Sequence, residues 1–456
     1  MIEYLQDNLA LYMFFALCVL IYSGFPLGFV LGGTALLFGM IGWGLDVFEL
    51  VQFFNLVPRI WSDAAENLVL TSVPLFVFMG LLLEGSGLAE DLLHSVQVLL
   101  RKVPAGLALA VNVVGTVLGA PIGIVSASVV MLSLVSLPMM MDRKYSAAFA
   151  TGTIAASGTL GILIPPSVML VVMADIMSVS IGPIFYGAFL PGFLLSALYF
   201  AYMILVAMLN PAIAPPLDVS ESNMSWCQFG KVMWEGFMPS AVLLAATLGV
   251  IFAGWATPTE SAGCGAFATV LLAWRKGRLS RQSVADVVNR TAVTMGLIFV
   301  LYCGSNGFSY VFRSLGGDQL VIAFFQSLDI GPWGILAFLM LVIFLLGLPF
   351  EWTEICLIML PIITPIFMIL EFGEHVGRAD VITWFLVLMA INLQTAFLTP
   401  PFGFALFYVK GTAPVAISMN DIFRGCLPFM ILQLTGLVLC IAFPEIILWL
   451  PKQMIG

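Results

Sequence analysis

Two short segments carry the residue types best suited to chemistry. The first, Ala155-Ala-Ser-Gly-Thr-Leu-Gly-Ile-Leu-Ile-Pro-Pro-Ser167, places Ser157 and Thr159 shortly before Pro165 and Pro166. Consecutive prolines remove two backbone donors and clash with the preceding turn, so a helix should break near Gly161–Ile164 and free several carbonyls. The hydroxyls of Ser157 and Thr159, with backbone at Gly158 and Gly161, then form a set of neutral oxygens. Hard cations take such ligands, and Na⁺ is the one such a neutral site suits. The second segment, Gln394-Thr-Ala-Phe-Leu-Thr-Pro-Pro-Phe-Gly403, repeats the design with Thr395, Thr399, Pro400 and Pro401. The plain alternative at each is a proline kink with back-bonded hydroxyls. Finding the motif twice favours a pair of ion sites.

Two further clusters should face these breaks. Ser126 and Ser128 follow Gly119-Ala-Pro-Ile-Gly123, and Glu351, Thr353 and Glu354 follow Gly347-Leu-Pro-Phe. Half-helix N-termini at these points, with Pro166 and Pro401 nearby, would favour a carboxylate substrate, because unpaired N–H groups and dipole ends are positive. A carboxylate in an apolar stretch costs about 2.5–3.5 kcal/mol on insertion scales, so Glu351 and Glu354 need a reason to be there. Cation binding (Glu354 as a Na⁺ ligand), substrate contact (Glu351), proton carriage and ion pairing with Lys410 are the readings left open. Thr257-Pro-Thr-Glu260 reads as a capping box opening a span. Asp175 is expected near a membrane interface, and Arg59, Trp61 and Trp43 as interfacial anchors. Ser305 and Asn306 are expected to bond a neighbouring helix.

The elements that must position these residues follow from composition. The 456 residues are 61% hydrophobic and 9% charged, so lipid has to solvate most of the surface. Apolar stretches run at about 9–22, 26–45, 66–84, 103–141, 145–174, 183–209, 236–253, 258–274, 291–311, 332–370, 382–409 and 427–449. The stretches 103–141 and 332–370 are twice the length of one crossing and are broken at their middles, which makes each a candidate re-entrant hairpin. The polar connector 210–235 divides the chain into 1–209 and 236–456. Pro26 and Pro258, Gly80 and Gly304, Gly119 and Gly347, and Pro166 and Pro401 recur in order at offsets of 224 to 235, which indicates a duplication.

Charge gives the duplication a direction. Arg101, Lys102, Asp142, Arg143 and Lys144 flank the first hairpin with a sum of +3. Arg313, Asp318, Asp329, Glu371, Glu374, Arg378 and Asp380 flank the second with −3. The loop from Arg275 to Arg290 sums to +4. Basic residues stay cytoplasmic, so the hairpins should enter from opposite faces. The fold class is then an all-α polytopic membrane protein built as an inverted repeat with two re-entrant hairpins, as in many secondary transporters.

The remaining sequence excludes other classes. No Gly-x-x-x-x-Gly-Lys-[Ser/Thr] loop, Gly-x-Ser-x-Gly elbow or His-Glu-x-x-His pair occurs, which argues against P-loop ATP binding and enzymatic chemistry. Nucleic-acid binding does not suit so apolar a chain. Seven cysteines scattered through apolar stretches default to buried hydrophobes, and two histidines are too few for a metal site. The acidic N-terminus lacks the character of a cleavable signal, so the first span is expected to stay in the membrane.

Across nearly its whole length the sequence resembles the DctM-like large membrane subunit of the tripartite ATP-independent periplasmic (TRAP) transporters. The resemblance rests on Ala156-Ser-Gly-Thr-Leu-Gly-Ile-Leu-Ile-Pro-Pro-Ser167, Thr257-Pro-Thr-Glu-Ser-Ala262, Val73-Pro-Leu-Phe-Val-Phe-Met-Gly80 and Leu398-Thr-Pro-Pro-Phe-Gly403 with Lys410-Gly411. It implies an elevator-type importer in the bacterial inner membrane, with Na⁺ as coupling ion and no other cofactor. It also implies a small DctQ-like membrane subunit and a DctP-like periplasmic binding protein that delivers an organic acid. The first tip reads Gly123-Ile-Val-Ser-Ala-Ser128 where many members have a Gly-Ser-Ser run, and Glu351 stands near a common Asp. These departures resemble the branch associated with 2-oxo acids, hydroxy acids, or mannitol-like and chloroaromatic compounds. The alternatives are an organic-anion symporter working with Na⁺ or H⁺ and without a binding protein, and, from another class, a non-transporting structural subunit.

Overall fold

The computed structural model describes residues 2–67, 69–215 and 226–455. Among them every regular element is helical. The first half comprises α1 (Ile2–Asp7), α2 (Leu9–Ile21), α3 (Leu27–Gly44), α4 (Leu50–Ile60), α5 (Ser72–Gly85), α6 (Leu88–Leu99), α7 (Gly106–Ile122), α8 (Val125–Asp142), α9 (Ala147–Thr159), α10 (Val168–Ile176) and α11 (Ile181–Leu209). The second comprises α12 (Cys227–Phe252), α13 (Pro258–Arg275), α14 (Arg281–Ser314), α15 (Gly317–Ser327), α16 (Gly331–Leu346), α17 (Trp352–Ile363), α18 (Val381–Leu398), α19 (Phe404–Thr412), α20 (Met419–Ala442) and α21 (Glu445–Ile455). Among the described residues, seven helices are long and apolar enough to cross a membrane, or up to nine if each of two bent pairs is one span.

Local signals explain most boundaries. Thr257 caps α13, with Pro258 at its first position and Glu260 closing the box, as its spacing predicts. Ser418 and Asp421 do the same for α20. Gly87 and Gly316 take left-handed φ of +72° and +84° where α5 turns into α6 and α14 into α15, a conformation that only glycine adopts without cost. The two long broken stretches become α7–α8 and α16–α17, helix pairs joined by short tips at 123–124 and 347–351.

Three expectations need correction. The basic segment from Arg275 to Arg290 is mostly helix, because the Ser280 hydroxyl accepts from the Ser283 N–H at 3.0 Å and starts α14. That helix then runs 34 residues without a break. The connector is shorter than 210–235, since helical structure already resumes at Trp226; residues 216–225 lie outside the described residues. The cysteines also divide, with Cys356, Cys426 and Cys440 buried and Cys227 and Cys264 exposed.

The halves interlock in exchanged pairs. Helix α3 packs on α14, and its counterpart α13 packs on α5; α9 packs on α20, and α18 on α11; α8 packs on α19, and α17 on α10. Side chains repeat the exchange. Thr412 of α19 donates to Ser133 of α8 at 2.6 Å. Thr364, just beyond α17, donates to the Met177 sulfur just beyond α10 at 3.4 Å. Thr412 and Met177 are 235 residues apart, and Thr364 and Ser133 are 231 apart, within the range read from the prolines and glycines.

Candidate functional site

Each broken helix is shaped by its prolines. Helix α9 tightens through a single 3₁₀ turn at Leu160–Ile162 and leaves helical geometry until Val168. Ser167 mends both sides of the gap: its hydroxyl donates to the Ile162 carbonyl and accepts from the Leu170 N–H at 3.5 Å. The Pro165–Pro166 and Pro400–Pro401 peptides are both cis. Helix α7 lies directly on the first break. A Cβ on Gly161 would stand 2.3 Å from the Gly119 carbonyl, so the two backbones meet only because neither residue has a side chain. Ser157, Gly158, Thr159 and Gly161 are all buried there.

The hydroxyls at the breaks have committed their protons. Ser157 donates to Asn112 Oδ1 at 3.4 Å and Thr159 to the Ala156 carbonyl at 2.9 Å. Thr395 donates to the Ile391 carbonyl at 3.1 Å and Thr399 to that of Thr395 at 2.8 Å. A hydroxyl has one proton, so each oxygen retains only lone pairs to offer another partner, which suits a cation rather than an anion.

One hydrogen bond joins the two breaks. Gln394 Nε2 donates to Thr159 Oγ1 at 3.4 Å. Their separation of 235 residues equals that of Pro166 and Pro401, so the bond connects equivalent positions and marks the two-fold relation between the halves. Gln394 is fully buried, and its Oε1 has no partner. The breaks differ in access: Pro165 and Pro166 are buried, whereas Pro401 and Phe402 are exposed.

The hairpin tips meet at a residue that the sequence reading overlooked. Tyr408 of α19 donates its hydroxyl to Glu351 Oε1 at 3.0 Å, with Ser126 beside it. Ile124, Val125, Ser126, Glu351, Trp352, Phe397, Phe404 and Tyr408 line a space of about 20 Å³, room for roughly one water. Ser128 is buried two residues further along α8, about half a turn on from Ser126, and Thr353 is buried at the start of α17. Pairing of Glu351 with Lys410 is not what forms: Lys410 Nζ donates to the Ile417 carbonyl at 2.6 Å instead. Glu354 Oε2 accepts from the Glu351 N–H at 3.3 Å, so the two carboxylates form the capping arrangement that starts α17.

Other polar residues hold the framework. Asp175, at the end of α10, accepts from Asn67 Nδ2 at 2.6 Å and from the Tyr302 hydroxyl of α14. Arg59 stacks 5.3 Å over the Tyr310 ring and pairs with Asp63 at 3.7 Å. Ser305 bonds the Leu357 carbonyl of α17 as expected, but the Asn306 amide nitrogen is buried without a partner. The proline offset of 235 also relates Thr159 to Gln394, so their equivalence, though not their bond, is legible in the sequence. Tyr408 and Asn112 carry no such signal, because a Tyr or Asn in an apolar helix has many structural uses.

A sequence model of the family described as "Tripartite ATP-independent periplasmic transporter, DctM component" matches residues 14–446. The chain belongs to the DctM family. Among its relatives, a C4-dicarboxylate TRAP transporter large permease protein of Pseudomonas aeruginosa is 27% identical over 86% of this chain and 88% of the relative. A sialic acid TRAP large permease of Vibrio cholerae is 26% identical over 96% and 97%. The crystal structure of the Alcanivorax borkumensis YdaH transporter, at 15% identity, shares the fold with a TM-score of 0.61 over 85% of this chain and 87% of that one. This DctM protein is therefore a large permease component of a TRAP transporter and a multi-pass membrane protein.

Proposed function

We propose that this DctM chain is the transporting subunit of a Na⁺-driven importer of an organic acid in the inner membrane. The observation that carries this reading is the Gln394–Thr159 bond, which brings two oxygen-bearing helix breaks together at equivalent positions. Na⁺ binds at Ser157–Gly161 and at Thr395–Thr399, where hydroxyl lone pairs and backbone carbonyls supply neutral ligands. The substrate carboxylate lies between the hairpin tips at the N-terminus of α8, since Glu351 and Glu354 already cap the start of α17. In the conformation described here the tips close around about 20 Å³, too little for an acid, and Glu351 with Tyr408 occupies the meeting point. Loading therefore requires the Tyr408–Glu351 contact to open. The hairpins, with the broken helices packed on them, then move as one body against a frame containing α3, α14, α5 and α13.

The relatives named for C4-dicarboxylate and sialic acid support an acid as cargo. The tip sequence Gly123–Ser128 and Glu351 support a 2-oxo or hydroxy acid within that class. A small DctQ-like subunit and a DctP-like binding protein complete the system; an Oleidesulfovibrio alaskensis relative is named as an isethionate permease DctMQ, of which this chain covers 66%. The test is uptake by the reconstituted complex with an imposed Na⁺ gradient. Uptake that is unchanged when the gradient is collapsed rules out the coupling. The ligand held by the cognate binding protein identifies the acid.

A further inference from the structure

Behind the second hairpin lies a cavity of about 490 Å³, lined entirely by apolar side chains. Leu17 and Cys18 of α2, Phe324 of α15, Phe338 and Val342 of α16 and Ile358 of α17 are among its walls. Water has no partner in such a space, and leaving it empty forfeits the dispersion contacts of every wall residue. A hydrocarbon chain would restore those contacts.

The cavity also has a polar neighbour. Phe312 lines the apolar space, and the next residue, Arg313, lines a second space of about 280 Å³ with Asp318, Gln319 and Thr364. Arg313 Nε and Asp318 Oδ1 stand 3.6 Å apart, and neither of these buried atoms has a hydrogen-bond partner. Arg313 Nη2 also donates to the Pro361 carbonyl at 3.5 Å. A cation and a carboxylate side by side, both under-bonded, complement a headgroup that carries a phosphate and an ammonium. A purely anionic headgroup would meet repulsion from Asp318. Arg313 lies at the opposite end of α14 from the basic segment at Arg281, which places the pair on the periplasmic side.

We propose that a zwitterionic phospholipid of the phosphatidylethanolamine type occupies this place, one acyl chain filling the cavity between α2 and the second hairpin, its phosphate on Arg313 and its ammonium on Asp318. The lipid then fills the seam between the second hairpin and the frame, and its chain must shift whenever that hairpin moves. The inference does not depend on Na⁺ coupling or on the identity of the acid.

Native mass spectrometry of the complex purified in mild detergent and titrated with defined lipids tests it. Phosphatidylethanolamine should bind once per chain, about tenfold more tightly than phosphatidylglycerol. Arg313→Gln should weaken it about tenfold, Asp318→Asn should erase the preference over phosphatidylglycerol, and Val342→Trp should abolish retention by filling the chain space. Cys18→Phe fills the same space from the α2 side with a smaller change. The comparison of the two lipids on the unaltered protein needs no variant and stands if a substituted chain fails to fold. Equal binding of both lipids overturns the proposal, as does retention unaffected by Val342→Trp or by Cys18→Phe. Photo-crosslinking from Phe338 to a helix of the small membrane subunit, in place of lipid, overturns it as well.

Discussion

Ser157 and Thr395 show how much a single hydroxyl can decide. Each donates its proton to protein, Ser157 across to Asn112 Oδ1 on α7 and Thr395 back to the Ile391 carbonyl of its own helix, so each oxygen is left an acceptor. Ser157→Ala and Thr395→Ala should each raise the Na⁺ concentration for half-maximal uptake by about tenfold, the worth of one ligand or charge-assisted bond. Na⁺-dependent thermal stabilisation should shrink in parallel, because a ligand that binds only the native state raises apparent stability. An unchanged Na⁺ dependence in both variants would remove these residues from the site. Tyr408→Phe keeps the ring against Phe404, 6.5 Å away and stacked, but deletes the hydroxyl shared with Glu351. The tips should then part more readily, and a thiol reagent should label a cysteine placed at Ser126 about fivefold faster than in the Tyr408 background. Equal labelling rates would mean that the hydroxyl does not hold the tips.

The elements show where local rules suffice and where they mislead. Proline pairs, the Thr257 box and left-handed glycines fix where helices start, bend and stop, and of these the prolines and the box mark their boundaries in the sequence itself. Glu351 and Glu354 stand out in the sequence as candidate ion or proton sites, although their spacing is the same i, i+3 pattern that identifies Thr257 and Glu260 as a cap. The cost of a carboxylate in an apolar stretch suggested a special role, whereas the start of α17 already gives the Glu354 carboxylate a backbone N–H to accept from. Contact between elements follows other rules. The first break tolerates α7 only because Gly161 meets Gly119 without side chains. Gly161→Ala should cost about 1–3 kcal/mol through overpacking and should lower the thermal midpoint of the purified chain. Gly33→Ala, with nothing within 4 Å of the added carbon, is the matched control and should be neutral or slightly stabilising. Equal midpoints for the two variants would contradict the packing account.

At the scale of the whole molecule, the exchanged helix pairs make the two breaks parts of one structure. Gln394 links them at Thr159, so filling one site should bias the other. Gln394→Leu should keep Na⁺-dependent uptake but reduce its Hill coefficient from about 2 toward 1, measured as uptake rate against Na⁺ concentration. A coefficient that stays at the wild-type value would place the coupling elsewhere. Composition, the duplicated prolines and the uneven flanking charges determined from sequence alone that this is an all-helical membrane chain in two copies with broken helices. Those features are local or statistical: a proline acts on its own turn, and a charge bias acts wherever the loop lies. The tertiary structure alone decided which atoms meet. Tyr408 reaches Glu351 across 57 residues, Asn67 reaches Asp175 across 108, and Gln394 reaches Thr159 across 235. Such meetings depend on how one half packs into the other, and no residue's neighbours in the chain encode that.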